Sequence, residues 1–318
     1  MRFSIIGTNF ISDGFMDALR EVSSAEAIAV LSRTEERAAE SAGRHGIPKV
    51  YTDVDRMLED EDIDAVYIAS PTVCHSEQAV KCLRAGKHVL CEKMIAHDYP
   101  AFLEMLRARD ESGKALVEAM RPDFDPALSV IREGLSRIGK IRRASLEFCQ
   151  YSSRYDAFLS GTVLNAFNPE MKNSALADIG IYPLHFCARL FGEPKNFSSS
   201  SVYLSNGFEG AGVITLEYGD MLATVTYSKI TESVNPSVIE GELGSLIIDK
   251  ISAPTKITLK LRGGDPEPLE YTPESNNMVW EIAAFTDIAE GRLSADEYMT
   301  ATEISMKIAH KALYESRH

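Results

Sequence analysis

Between the first apolar run, Phe3-Ser4-Ile5-Ile6, and the first helical pattern lies Gly7-Thr8-Asn9-Phe10-Ile11-Ser12. In a turn of this kind, G-x-G-x-x-G holds a pyrophosphate: the first glycine permits the tight turn, the second the close backbone approach, the third helix packing. Only the first glycine is present. Asn adopts left-handed backbone nearly as readily as Gly, and Ser12 is small, so the loop remains competent for a dinucleotide; a turn that binds nothing is the other reading. After the second apolar run comes Ser32-Arg33, with the first carboxylate delayed to Glu35. A ribose with a free 2′-hydroxyl usually meets Asp or Glu here, whereas a 2′-phosphate needs a cation and small polar donors. Arg33 supplies a planar fork, which points to NADP(H) ahead of NAD(H) unless Arg33 is simply a solvated residue at a helix start. Farther on, Asp178 and Tyr182 are four apart and His185 three beyond, on one face if helical.

The elements that must position these groups fall into two kinds. Residues 3–6, 27–31, 65–69, 88–91 and 115–117 are apolar runs, and helical patterns separate them, among them 73–85, stopped by Gly86, and 98–111. A helix after the second run takes Ser32 or Thr34 as its N-cap. Continuous apolar strands spaced by helices mean a parallel sheet covered on both faces: an α/β, doubly wound Rossmann domain over 1–120. From 121 to 318 the pattern changes to longer alternating stretches, near 140–149, 199–205, 211–218, 221–230, 236–240, 245–250 and 256–262. Helical patterns stand near 125–135, 174–191, 278–290 and 298–316. This predicts an α+β second domain on a large, mostly antiparallel open sheet.

Composition narrows the function. Thirty-three Lys and Arg against 47 Asp and Glu give a net charge of −14, and with no basic run this excludes nucleic acid and anionic membranes as partners. No apolar stretch approaches a membrane span, and the N-terminus lacks a signal-peptide core, so the expected location is cytoplasmic. Five scattered cysteines without a C-x-x-C pair read as reduced thiols, and without clustered His or Cys no metal is expected.

Two further segments complete a recognisable set: Ile68-Ala69-Ser70-Pro71-Thr72-Val73-Cys74-His75 and Gly86-Lys87-His88-Val89-Leu90-Cys91-Glu92-Lys93. At these points the chain resembles the Gfo/Idh/MocA family of NAD(P)-dependent oxidoreductases, whose hallmark after the strand that corresponds to 88–91 is Glu-Lys-Pro. Asp178-Ile179-Gly180-Ile181-Tyr182-Pro183-Leu184-His185 is similar to the family's D-I-G-x-Y-P-x-H segment, and Glu240-Gly241-Glu242-Leu243-Gly244-Ser245-Leu246 to its later sheet motif. The likeness spans essentially the whole chain and is nearest the glucose-fructose oxidoreductase and dihydrodiol dehydrogenase branch.

The resemblance implies a Rossmann domain and a C-terminal domain whose open sheet mediates dimer contacts, giving a homodimer or a dimer of dimers. It implies that Lys93 is the catalytic lysine touching cofactor and substrate, with Glu92 against the cofactor. Asp178 and Tyr182 match the acidic and proton-transferring positions, with the nicotinamide between Lys93 and Tyr182. Gly7, Thr8, Asn9, Phe10, Ile11, Ser32, Arg33, Ser70, Pro71, Thr72, His75, Glu92, Lys93 and Arg121 are the expected cofactor contacts. Lys93, Arg154, Asp178, Tyr182 and His185 are the expected substrate contacts. Carbonyl reduction leaves negative charge on an oxygen that must be protonated; tyrosine titrates near about 10, and a neighbouring ammonium brings it closer to working pH. Without the family match, Tyr182 reads as a half-buried core residue, His185 equally as a satisfied helix histidine, and His75 as a loop support.

Two departures stand out: Met94 replaces the proline of Glu-Lys-Pro, and Asn173-Ser174 replaces a frequent Gly-Gly. Both bear on pocket shape and substrate identity. Gln150-Tyr151-Ser152-Ser153-Arg154-Tyr155-Asp156 with Asn165-Ala166-Phe167-Asn168-Pro169 is a candidate substrate wall, Arg154 serving an anion, or else an exposed connection. The leading expectation is an NADP(H)-dependent dehydrogenase or reductase acting on a small-molecule sugar, polyol, dihydrodiol or similar compound. A non-catalytic NAD(P) sensor and a glycosidase using bound nicotinamide are the alternatives.

Overall fold

The computed structural model describes residues 1–315, and the chain divides into two compact units. The first is Met1–Arg121 with Ser275–Met299; the second is Pro122–Glu274 with the chain from Thr300 onward.

The first unit follows the apolar runs. Strands β1 (Arg2–Ile6), β2 (Glu26–Leu31), β3 (Lys49–Tyr51), β4 (Ala65–Ile68), β5 (His88–Glu92) and β6 (Leu116–Ala119) alternate with helices α1 (Phe10–Leu19), α2 (Glu35–His45), α3 (Val54–Leu58), α4 (Thr72–Arg84) and α5 (Tyr99–Ser112). The strands lie in the order β3-β2-β1-β4-β5-β6, every pairing parallel. This is the doubly wound arrangement, and its direction reverses between β1 and β4, where such sheets open a ligand crevice at the carboxyl ends of the strands. Thr34 is the cap of α2, its hydroxyl accepting from Arg37 N. β3 has no counterpart among the expected strands: three residues with a lysine give no apolar run.

The sequence groups all of 121–318 in one second domain, and residues 275–299 depart from that. Their helix carries Phe285, fully buried with its ring centre 5.7 Å from that of Phe3 on β1. Asn276 also donates from Nδ2 to the carbonyl of Gly14. Removal of such an apolar face from water holds the segment in the first unit, whatever its place in the sequence.

In the second unit, helices α6 (Ala127–Arg137), α7 (Tyr155–Leu159) and α8 (Ile181–Phe191) accompany β7 (Ile141–Cys149), β8 (Asn196–Tyr203), β9 (Glu209–Glu217), β10 (Leu222–Ser228), β11 (Ser237–Gly241), β12 (Gly244–Ile248), β13 (Ile257–Leu261) and β14 (Pro266–Leu269). Eight strands form one open sheet, ordered β14-β13-β12-β11-β7-β10-β9-β8. β7 and β10 pair in parallel and all other neighbours are antiparallel. This is the α+β domain on a large, mostly antiparallel sheet that the sequence predicts. β14 was not anticipated: Pro266 and Pro268 mask it, and a strand with two prolines is tolerated only at an edge. The helix that folds with the first unit is α9 (Met278–Ala289), and α10 (Asp296–His310) follows it. The expected helix 298–316 ends at residue 316, which lies outside the described residues.

Candidate active site

In the first unit, the loops after β1, β2, β4 and β5 and the turn after β6 open along the carboxyl edge of one parallel sheet. That edge gathers Gly7–Ile11, Ser32-Arg33, Ser70–Thr72, Glu92-Lys93 and Arg121. Gly7 has φ +114°, and a Cβ there would stand 2.7 Å from the carbonyl oxygen of Ala69, so glycine is required at the crossing of β1 and β4.

Asn9 differs from expectation. It is extended, at φ −95° and ψ 177°, rather than left-handed. Its Oδ1 accepts from the amides of Ile11 and Ser12, and its Nδ2 donates to the Ala69 carbonyl at 2.8 Å. Asn9 therefore stands in for the missing glycine as an N-cap that ties the loop to the end of β4, not as a flexible hinge. Phe10 is 76% exposed. At the end of β2 the Thr8 and Ser32 hydroxyls lie 3.4 Å apart, and Arg33 beside them is exposed and makes no salt bridge among the described residues. A cation, two hydroxyls and no adjacent carboxylate are a donor set that fits NADP.

His75 is buried, its Nε2 2.8 Å from the Ser70 carbonyl and its Nδ1 3.0 Å from that of Met94. Burial lowers its pKa, and the Ser70 and Met94 carbonyls at its two nitrogens oppose that shift; the ring stands between the loops that follow β4 and β5. Met94, standing where the family has proline, is buried and joined to Lys93 by a cis peptide bond. Glu92 is buried, and burial pushes its carboxyl above the ordinary value, opposed by the charges of Lys93 and Arg121. Tyr67, itself stacked on Phe15 at 3.6 Å, donates its hydroxyl hydrogen to Glu92 Oε1 at 2.6 Å. Lys93 is half-buried beside this array.

In the second unit, Asp178 lies in a π-helical turn, Leu176–Gly180, that runs directly into α8. Such a turn re-aims side chains and recurs at functional sites. Glu209 fixes its start: Oε2 accepts from the Leu176 amide at 2.9 Å, while Oε1 accepts from Tyr227 at 2.6 Å. Gly180 is needed because a Cβ would stand 2.6 Å from the Tyr227 ring. Tyr182 is 6% exposed, with its ring centre 5.8 Å from that of Phe148 on β7.

His185 is fully inside, its Nε2 2.7 Å from Asp123 Oδ2, and Arg189 Nε approaches the same carboxylate at 3.6 Å. Its Nε2 is thus engaged by Asp123 within the second unit. Arg154 sits exposed before α7. In and beside the segments 150–156 and 165–169 rings gather: Tyr155 and Phe158 lie 5.5 and 5.9 Å from Phe167, which lies 4.9 Å from Phe208.

One residue absent from the sequence reading stands in this group. Lys229, just past β10, has Nζ 2.7 Å from Asp178 Oδ2 and donates to the Ala166 carbonyl at 3.0 Å. A lysine after a strand reads as solvated, and nothing local to position 229 signals its burial. Among the described residues, no cluster of three His, Cys, Asp or Glu is placed to hold a metal ion, and no helix is long and apolar enough to cross a membrane.

Residues 1–120 match the oxidoreductase family GFO/IDH/MocA with its NAD-binding Rossmann fold, and residues 128–247 match the GFO/IDH/MocA C-terminal domain. The chain is 41% identical over 298 residues, 93% of its length and 91% of the relative's, to scyllo-inositol 2-dehydrogenase (NADP(+)) IolU of Bacillus subtilis. It is 29% identical to the mouse trans-1,2-dihydrobenzene-1,2-diol dehydrogenase over 81% of this chain and 78% of that one. Among solved structures, KijD10, a 3-ketoreductase of Actinomadura kijaniata in complex with NADP and TDP-benzene, superposes with a TM-score of 0.86 at 22% identity, covering 97% of this chain and 96% of that one. The strand orders, the loop sequence along the first sheet edge and these matches agree: the chain belongs to the GFO/IDH/MocA oxidoreductase family.

Proposed function

We propose that this chain oxidises a ring hydroxyl of a polyol such as an inositol, or reduces the corresponding ketone, with NADP(H) as hydride carrier. It is an NAD(P)-dependent oxidoreductase acting on CH–OH groups. The observation that carries the finer reading is the 41% identity, over 93% of the chain, to an inositol dehydrogenase named for NADP(+). Ser32, Thr8 and exposed Arg33 support the same cofactor by holding a 2′-phosphate.

When bound, the nicotinamide gives a hydride to the carbonyl carbon or takes one from the carbinol carbon. The oxygen on that carbon then carries alkoxide character, and the Lys93 ammonium at the end of β5 stabilises it. Tyr182 supplies or removes the hydroxyl proton. Asp178 accepts a hydrogen bond from a second ring hydroxyl and so selects which carbon reacts. Glu92, His75 and Tyr67 hold the loop that carries Lys93, and Asp123 with His185 holds the helix that carries Tyr182. The rings of the 155–167 segment offer the apolar face that a cyclitol's C–H edges need, with Arg154 at its exposed end.

The protein works in the cytoplasm, a reading supported by five cysteines that are all free thiols. It works as a homodimer through the open sheet, where Val202, Val213 and Leu222 on β8 to β10 are exposed. The test is a nicotinamide-fluorescence titration of NADPH against NADH, then a panel of inositols, aldoses and dihydrodiols with the tighter cofactor. Tighter NADPH binding and turnover of a cyclic polyol are expected; preferred NADH, or turnover confined to acyclic alcohols, overturns the reading.

A further inference from the structure

The second unit buries one lysine almost completely. Lys229 is 3% exposed, and an ammonium out of water is costly unless every donor is used and an anion lies close. Nothing in packing alone requires the charge, since a methionine of similar length would fill the same space. The charge is instead spent on two partners. Nζ lies 2.7 Å from Asp178 Oδ2, whose side chain is 37% exposed, and donates to the Ala166 carbonyl at 3.0 Å. The same Nζ stands 5.0 and 5.4 Å from the ring centres of Phe167 and Phe208, a placement that favours a cation.

The backbone around Lys229 joins the same segments. Its carbonyl accepts from the Ser152 amide at 2.9 Å and that of Ser228 from the Gln150 amide at 2.8 Å, while its own amide donates to Gly210 at 2.9 Å. The stretch 150–152, the turn 165–167 and Asp178 are far apart in sequence, and all three are tied to the end of β10. Phe167, held under Nζ, is in turn the ring on which Tyr155 and Phe158 rest.

We propose that Lys229 is a positioning residue for substrate binding, locking the Asp178 carboxylate and the 150–167 aromatic wall into one rigid body that grips a polyol's hydroxyl and C–H edges together. This rests on the reading that Asp178 receives a substrate hydroxyl. Loss of the ammonium removes the tie that Asp178 and the 166–167 turn share, and so loosens the one relative to the other.

The experiment compares wild type with Lys229→Met, Lys229→Arg, Lys229→Gln and Asp178→Asn in full-length protein, using NADP(H) and the best polyol of the panel. For Lys229→Met, KM for the polyol is expected to rise at least about tenfold while kcat falls less than about threefold and NADPH affinity is unchanged. Lys229→Arg, which can reach both partners, returns KM to within about threefold of wild type. Lys229→Gln combined with Asp178→Asn is no worse than the worse single variant, because the two act through one bridge. Limited proteolysis, which needs no substrate, is expected to cut 151–171 faster in Lys229→Met with the rest of the chain intact.

A folded Lys229→Met with unchanged KM and unchanged cleavage overturns the proposal. So does full additivity of the pair. If Lys229→Met does not fold, Lys229→Gln carries the same expectations at smaller size. If the wild type turns over no polyol, the functional reading fails by itself; the proteolysis arm still decides, unchanged cleavage overturning the bridge and faster cleavage supporting it.

Discussion

The hydroxyl of Tyr67 donates to Glu92 Oε1 at 2.6 Å inside the first unit, where both side chains are out of water. This bond helps to hold the Glu92 carboxyl down against the rise that burial imposes. Tyr67→Phe removes the donor and leaves a buried carboxyl short of a partner. The expected loss is about 1–3 kcal/mol of unfolding free energy, read as a lower urea midpoint with unchanged slope. A variant as stable as wild type shows that the bond has no net value.

Lys93 stands at the end of β5 beside this array. Lys93→Ala is expected to lower kcat by about 10²–10³, the usual cost of deleting one electrostatic donor to a developing oxyanion. NADPH is expected still to bind, with a loss of affinity smaller than the loss in kcat. Intact turnover in the variant removes Lys93 from the chemistry.

Arg33 tests the cofactor assignment. Replacement by Ala takes away charge-assisted hydrogen bonds worth about 1.5–3 kcal/mol, so NADPH binding weakens on the order of tenfold or more while NADH binding changes by less than about threefold. Equal losses for both nucleotides assign Arg33 to adenine stacking or to the loop rather than to the 2′-phosphate.

Glu281 on α9 is fully buried, and neither carboxyl oxygen has a hydrogen-bond partner among the described residues. Burial drives its pKa well up, the charge of Glu92 adds to the rise and Arg121 opposes it. The folded chain keeps this proton at pH values where the unfolded chain, with a carboxyl near about 4.3, has lost it. The stability contributed by this group is therefore fully present below the unfolded value and is lost as pH rises toward the folded one. Glu281→Gln has no proton to lose. Its melting temperature relative to wild type is expected to climb by several degrees between about pH 5 and about pH 8.5; a pH-independent difference contradicts the buried neutral acid.

The first sheet was legible because parallel strands covered on both faces must be apolar throughout, and Ala65–Ile68 or His88–Glu92 can be read directly. β3 and β14 were not, since Lys49-Val50-Tyr51 is too short to make an apolar run and Pro266 and Pro268 interrupt the other. In the site, the glycine pattern identified the Gly7 turn, yet the extended, capping conformation of Asn9 depended on the Ala69 carbonyl, a partner supplied by a distant strand. His185 and Lys229 were illegible for one reason. Each looks local in sequence, but Asp123 in one case and Asp178, Phe167 and Phe208 in the other decide what it does.

The return of α9 to the first unit carries a consequence for synthesis. The strands of the parallel sheet leave the ribosome by residue 119, but Phe285, which packs beside Phe3, emerges only after the entire eight-stranded sheet has been made. The nascent sheet must wait with part of its core uncovered while the second unit forms. A fragment ending at 121 retains every residue assigned to the dinucleotide and still lacks a piece of its own interior, so the nucleotide-binding stretch and the folding unit are different lengths of chain.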